Sequence, residues 1–272
     1  MSNTPMQLYQ EGKLSEAVDA SLQFVKAHPA DVGMRFQLAE LSCIAGNLER
    51  ADRQLDTVGN QDAKAAIGAA LWRQLVRAET ARRECFYEGR VPEFLGEPSE
   101  KLKNHLEALT HFREADLDAA GECIAKSIDQ PILNQPISVN GAEVEEIRDL
   151  DDLLAPVLEV HTSTGKYFWV DWNQILDLEI HAPERPFDLI FRRATLSIES
   201  GPDGEVFIPA IYIEPERESE TDEQLQLGRG TDWLDTGKGI VRGRGLKKLL
   251  VGDTDMPVME LSTISRDETP AE

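Results

Sequence analysis

The sequence holds few of the residues that carry chemistry. Its three cysteines, Cys43, Cys85 and Cys123, are odd in number and widely spaced along 272 residues. No C-x-x-C pair is present, which removes the common zinc and redox-disulfide motifs and fits a reducing compartment. Five histidines, His28, His105, His111, His161 and His181, never pair at metal-ligand spacing; His105 and His111 stand six apart, on different faces of a helix. Each reads as a surface or structural histidine. No G-x-S-x-G, H-E-x-x-H or G-x-x-x-x-G-K-[ST] pattern occurs. No serine or cysteine has an assignable base, so no catalytic residue, cofactor or metal is expected. No stretch approaches the roughly 20 apolar residues of a membrane span, and the opening MSNTPMQLYQEGKL lacks the basic and apolar regions of a signal peptide. A soluble, cytoplasmic protein is the expectation.

Positive charge is scarce as well. Twenty-eight Lys and Arg face 50 Asp and Glu, a net charge of −22. Such a surface repels phosphate backbones and anionic membranes within the screening length, so neither nucleic acid nor membrane is an expected partner. The acid is uneven: residues 1–130 hold 15 basic against 21 acidic residues, and residues 131–272 hold 13 against 29. The chain is long enough for two domains, and its texture divides it there.

GKLSEAV at 12–18 returns as GNLERAD at 46–52, with the glycines 34 residues apart. That is the period of a tetratricopeptide repeat, a helical hairpin that buries its apolar face by stacking on its neighbours. Gly12 and Gly46 fall at the turns, Ala17, Ala39 and Ala51 at small-residue positions, and Pro29 at the end of the first unit. A degraded third copy places Ala108, Ala115 and Ala120 in the small positions, with Ala115 69 residues after Gly46, one more than two periods. Between them lie an apolar-periodic helix through Ile67, Leu71 and Leu75 and a Pro/Gly-rich loop, YEGRVPEFLGEPSE. Residues 1–130 read as six or seven helices in a repeat-like superhelix; a generic helical bundle is the alternative.

Beyond QPILNQPISVNG the periodicity becomes two. ISV-Asn140-Gly141-AEVEEI has the form of a hairpin with a type I′ turn. VLEVHT with KYFWVDW, and ATLSIES with EVFIPAIYI, form two more candidate hairpins. Short helices are expected at Asp149 (DLDDLLA) and after Trp172 (WNQILDLEI). Residues 131–272 therefore read as an α+β domain with a mostly antiparallel sheet, and the whole as an α+β multidomain chain.

Three features invite chemistry. Asp149, Asp151 and Asp152 could offer oxygens to Mg²⁺ or Ca²⁺, although acids in a first helical turn also complement the helix dipole. GKGIVRGRG at 237–245 resembles a phosphate loop in its glycines, but its spacing fits neither the Walker nor the dinucleotide pattern. Its cations Lys238, Arg242, Arg244, Lys247 and Lys248 form an acid-free run. They either neutralise a patch such as EPERESETDE (214–223) or present a docking surface for an acidic partner; a nucleotide- or phosphate-binding regulator is the enzymatic-class alternative. In KYFWVDW, Tyr167 and Trp169 face one side of a strand and Phe168 the other, so core is favoured, with Trp172 the candidate exposed anchor.

The ordered series DLDDLLAPVLEV, YFWVDW, EVFIPAIY, GRGTDW, VRGRG and LLVGD, behind a repeat-like helical half, resembles the TagJ/ImpE (SciE-type) family of type VI secretion accessory proteins over nearly the whole chain. That resemblance implies a non-enzymatic cytoplasmic adaptor. It implies binding to the N-terminal segment of the small contractile-sheath subunit, and a link to the ClpV-type AAA+ ATPase, which would hold the ATP chemistry. It supplies no residue list. From the repeat register alone, a partner peptide would lie on the concave face lined by Met6, Tyr9, Phe36, Glu40, Cys43, Gln74 and Arg77, with Phe36 as anchor. The competing expectation is a groove packed against the chain's own second half. A self-associating scaffold is a further alternative.

Overall fold

The computed structural model describes residues 3–128, 131–199, 201–214 and 222–266. Seven helices come first: α1 (Pro5–Gln10), α2 (Leu14–Ala27), α3 (Val32–Ile44), α4 (Leu48–Gln61), α5 (Ala66–Tyr87), α6 (Glu100–Arg113) and α7 (Leu117–Ile128). Gly12 and Gly46 close α1 and α3 with φ of 83° and 81°, the left-handed conformation that ends a helix and costs glycine nothing. Ala115 holds the equivalent place between α6 and α7 at φ 60°, a strained conformation for a residue with a Cβ. The small positions carry the packing: Ala17, Ala39, Ala51, Ala108 and Ala120 are all fully buried. The register slip is accounted for by α5, a single 22-residue helix followed by a loop instead of a second helix. Ile67, expected on its apolar face, is 86% exposed.

Most helices carry their own N-caps: Thr4, Asp31, Asn47 and Ser99 each accept a backbone N–H. Helix α2 does not, because Lys13 occupies its cap. Glu223, 209 residues away in α8 (Glu223–Gln226), supplies the missing acceptor, its carboxylate taking Leu14 N–H at 2.9 Å and Ser15 N–H at 2.8 Å. An acid at this positive helix end is doubly placed.

The strands follow: β1 (Ile137–Val139), β2 (Ala142–Val144), β3 (Ile147–Asp149), β4 (Val157–His161), β5 (Tyr167–Asp171), β6 (Ile175–Ile180), β7 (Arg192–Ile198), β8 (Gly204–Ile208), β9 (Thr231–Asp235), β10 (Val241–Gly245), β11 (Lys248–Val251), β12 (Thr254–Pro257) and β13 (Thr263–Ser265). They build an eight-stranded antiparallel sheet ordered β2-β1-β13-β6-β7-β8-β4-β5, a three-stranded sheet β12-β11-β3, and the β9/β10 hairpin. The three expected hairpins are present as β1/β2, β4/β5 and β7/β8. Asn140 and Gly141, at φ 50° and 82°, make the primed turn. Among the described residues β5 is an edge of its sheet, but Glu93 covers it through its N–H to Tyr167 O and its carbonyl to Trp169 N–H.

Both short helices expected here need correction. Asp149 ends β3, and a series of turns follows in place of a helix. After Trp172 only one 3-10 turn forms (Trp172–Gln174) before β6. A bulge between Ile175 and Asp177 shifts the pleat, so Ile175 and Leu178 both face the core three positions apart. The bulge thus imitates helical spacing in a strand. Trp172 is fully buried and is no exposed anchor. GKGIVRGRG is the β9/β10 turn running into β10.

Helix gives way to strand between residues 128 and 137, yet packing crosses that point. One core belongs to the sheets. A second joins Leu38, Leu41 and Leu75 to Phe187, Phe191 and Phe207, and a third joins Phe86, Leu102 and Leu109 to Leu153, Tyr167 and Trp169.

Candidate functional site

The concave face of the helical array is filled from within. A 3-10 turn at Pro186–Leu189 inserts Phe187, fully buried, against Trp72 (centroids 4.3 Å apart, 12° between planes) and edge-on to Phe36 (5.9 Å, 88°). The Arg185 guanidinium lies 5.9 Å from both the Phe36 and Trp72 ring centroids, a cation–π lid. Phe36 is therefore engaged by its own chain. Glu40 and Cys43 are buried and are not presented to a partner. Burial pushes the Glu40 carboxyl up to about 7, against the pull of Arg185, and pushes the Cys43 thiol up too. Met6 and Tyr9 are half-buried, and the Tyr9 carbonyl accepts from Arg229 at 2.7 Å. Gln74 is half-buried beside Gly165, and Arg77, which donates to Gln74 Oε1 at 3.4 Å, is the one exposed member of the seven. The apolar face of α3 and α5 closes on the second half of the chain, on Phe187, Phe191 and Phe207, and leaves no open groove there.

Two to three turns further along α5 the same helix meets the sheet through charge. Arg82, fully buried, donates from Nε and Nη2 to the two Glu159 oxygens at 2.7 and 3.0 Å, and from Nη2 to the Ile211 carbonyl. Tyr167 donates to Glu159 at 2.5 Å while accepting from Trp169 Nε1 at 2.6 Å. Lys247 bridges Glu159 (2.6 Å) and Asp149 (2.7 Å), and Tyr212 donates to Asp149 at 2.7 Å. Glu79 sits 3.4 Å from Arg82 and 3.2 Å from Arg83. Burial alone would raise the Glu159 carboxyl, but Arg82 and Lys247 outweigh it and hold it well below the usual carboxylate range. Asp149, which shares its cation with Glu159, is instead pushed up by burial. His161 lies fully buried 3.4 Å from Glu79, and burial lowers it to about 4, which keeps it neutral at pH 7. Over the network opens a cleft of about 400 Å³ between α3, α5 and Ile211–Glu214, with Glu79, Arg82 and Arg83 among its walls.

The basic run is absorbed by the chain. Arg242 is buried, clamps Asp151 at 2.8 Å and stacks between Phe86 and Phe112; Lys247 is buried in the network above. At the surface Lys238 meets Asp118 (2.6 Å), Arg244 meets Glu214 (2.8 Å) and Lys248 meets Asp255 (2.6 Å). Of the acidic stretch proposed as counter-charge, residues 215–221 lie outside the described residues. A phosphate loop leads into a helix N-terminus, whereas this run leads into a strand. The three aspartates do accept free N–H groups, without a helix: Asp149 from Asp151, Asp151 from Leu153 and Gly243, and Asp152 from Val241.

Sequence reasoning did not single out Glu79, Arg82 or Glu159. The available signal was Glu159 and His161 within the otherwise apolar VLEVH, a strand buried at every position. Its partner Arg82 is 77 residues away and marked by nothing local.

Fold and site define a class: an α+β protein in which an array of helical hairpins is fastened to an antiparallel sheet, with its buried charges committed to that junction. Residues 141–265 match the family model described as ImpE protein. The chain is 31% identical over 232 residues to the type VI secretion system accessory component TagJ of Pseudomonas aeruginosa, covering 85% of this chain and 81% of that protein. A crystal structure of a protein from Vibrio parahaemolyticus, 28% identical, matches with a TM-score of 0.87 over 96% of each chain. The chain belongs to the TagJ/ImpE family of type VI secretion accessory proteins. Among the described residues no helix is long and apolar enough to cross a membrane.

Proposed function

We propose that the protein is a non-enzymatic cytoplasmic adaptor of a type VI secretion system. In this reading it binds the N-terminal segment of the small sheath subunit and is linked to sheath recycling by the ClpV-type AAA+ ATPase. The likeness to TagJ across most of both chains carries it. The buried network agrees, because each carboxylate in it is held by several donors, an arrangement that fastens and leaves no group poised for proton transfer. In the same reading, residues 1–130 form the helical unit and 131–272 the α+β unit.

Because Phe187 occupies the concave face, a partner peptide would dock on the rim, where Arg77 and Gln74 reach solvent, and not on Phe36. Calorimetric titration of the full chain with a synthetic peptide from the N-terminus of the cognate small sheath subunit tests the partner. Saturable binding is expected, and no heat at tens of micromolar peptide removes the assignment. If Arg77→Glu leaves the affinity unchanged, the partner stands and the rim is the wrong place.

A further inference from the structure

The α6–α7 hairpin brings together three side chains of a kind that no contact described so far uses. Glu107 and His111 stand one turn apart on α6, and Cys123 faces them from α7. One ligand atom from each lies within 4.8 Å of the others, the sole such trio of metal-ligating side chains among the described residues. We infer that this trio is a binding site for a zinc-class divalent cation.

The donor set decides the class of ion. A thiolate, an imidazole and a carboxylate are zinc's usual ligands, whereas Mg²⁺ and Ca²⁺ take oxygen alone. Three protein ligands leave a fourth position for water, and the thiolate and carboxylate together cancel the charge of a divalent ion. With bonds of about 2.0–2.3 Å the donors must draw in by about 1 Å from their present spacing. Glu107 is more than half exposed and free to move, and its oxygen is already 3.8 Å from His111 Nε2. His111 Nδ1 is buried with no hydrogen-bond partner among the described residues, so the ring is not committed elsewhere. Burial and the neighbouring Glu107 push the Cys123 thiol up, with Lys126 Nζ, 3.9 Å from Sγ, pulling the other way, so the ion itself must displace the thiol proton. The net charge of −22 raises the local concentration of divalent cations. Bound there, the ion would pin α6 to α7 across a turn strained at Ala115.

Cobalt reads the site directly, because a thiolate on Co²⁺ gives a charge-transfer band in the near ultraviolet. Cys43 and Cys85 belong to no such trio among the described residues, so the band reports Cys123. Titration of the chelator-stripped full-length protein with Co²⁺ is expected to give that band at one equivalent, and Zn²⁺ to abolish it. Cys123→Ser should remove it, and His111→Ala should weaken binding by at least about tenfold, the lower end of what losing even a supporting partner costs. Zinc should raise the melting temperature of the parent and not of Cys123→Ser. No band, or a band that survives Cys123→Ser in a variant with unchanged circular dichroism, overturns the site.

Discussion

One helix, α5, is fastened to the sheet half at two places by different physics. At Trp72 the junction is aromatic, with Phe187 stacked and Phe36 edge-on. Ten residues later, about 15 Å along the axis, Arg82 enters a buried network with Glu159, Lys247 and Asp149. Stacked rings tolerate sliding and small changes of shape. A bidentate guanidinium–carboxylate pair tolerates neither, since each misplaced charge is left buried and unmatched. The aromatic end supplies apolar burial, and the ionic end sets how α5 registers on β4.

The largest effect should come from an isosteric change at the ionic end. Glu159→Gln keeps the shape and removes the charge facing Arg82 and Lys247, which should cost about 3–5 kcal/mol. Phe187→Leu changes shape at the aromatic end and should cost only about 1–1.5 kcal/mol. Urea unfolding of both variants checks the ranking. A Glu159→Gln loss smaller than that of Phe187→Leu would remove the distinction between the junctions.

Acid should separate the two ends as well. Glu159 is held below its ordinary value, so its contribution is complete above about 4.5 and is lost as pH falls below that. Glu40, beneath the aromatic end beside Arg185 and Asp188, is raised to about 7. Its contribution is complete below about 4.5 and is lost as pH rises through 7. Glu40→Gln, which stays neutral, should therefore be more stable than the parent at pH 8, by about 1–3 kcal/mol, and no more stable at pH 5. Equal differences at the two pH values would mean that Glu40 is already ionised in the folded protein.

How legible these junctions were depends on the range of the contacts. Gly12, Gly46 and the buried alanines announced the hairpins because a turn and its small neighbours lie close in sequence. The Asn140-Gly141 turn was readable for the same reason. The bulge before Asp177 was not, because one extra residue makes a strand's inward positions fall at helical spacing. Phe187 sits in a stretch, APERPFD, that reads as loop, so the filling of the groove was visible only as one of two alternatives. The cations at 238–248 could be counted, and the stretch 214–223 named as their counter-charge does supply Glu214 to Arg244, while Asp255 comes from the adjacent strand and Asp118, Asp149 and Asp151 come from distant segments. Likewise Glu107 and His111 stand at i, i+4 in plain view, and only the folded hairpin adds Cys123.

The smallest expected effect tests the hairpins on either side of α5. On the aromatic side the α3–α4 turn has Gly46 at φ 81°, and Arg83 from α5 donates to its carbonyl at 3.0 Å. On the ionic side the α6–α7 turn has Ala115 at φ 60°, where a Cβ crowds the carbonyl oxygen. The cost of that alanine is partly offset because glycine would make the unfolded chain more flexible. Ala115→Gly should still stabilise the protein by about 0.5–1 kcal/mol, and Gly46→Ala should destabilise it by at least as much, since an added Cβ would also lie 3.1 Å from Arg83 Nη1. If Ala115→Gly instead destabilises, the Ala115 methyl is contributing packing that outweighs its strain, and the two hairpins are not equivalent copies of one repeat.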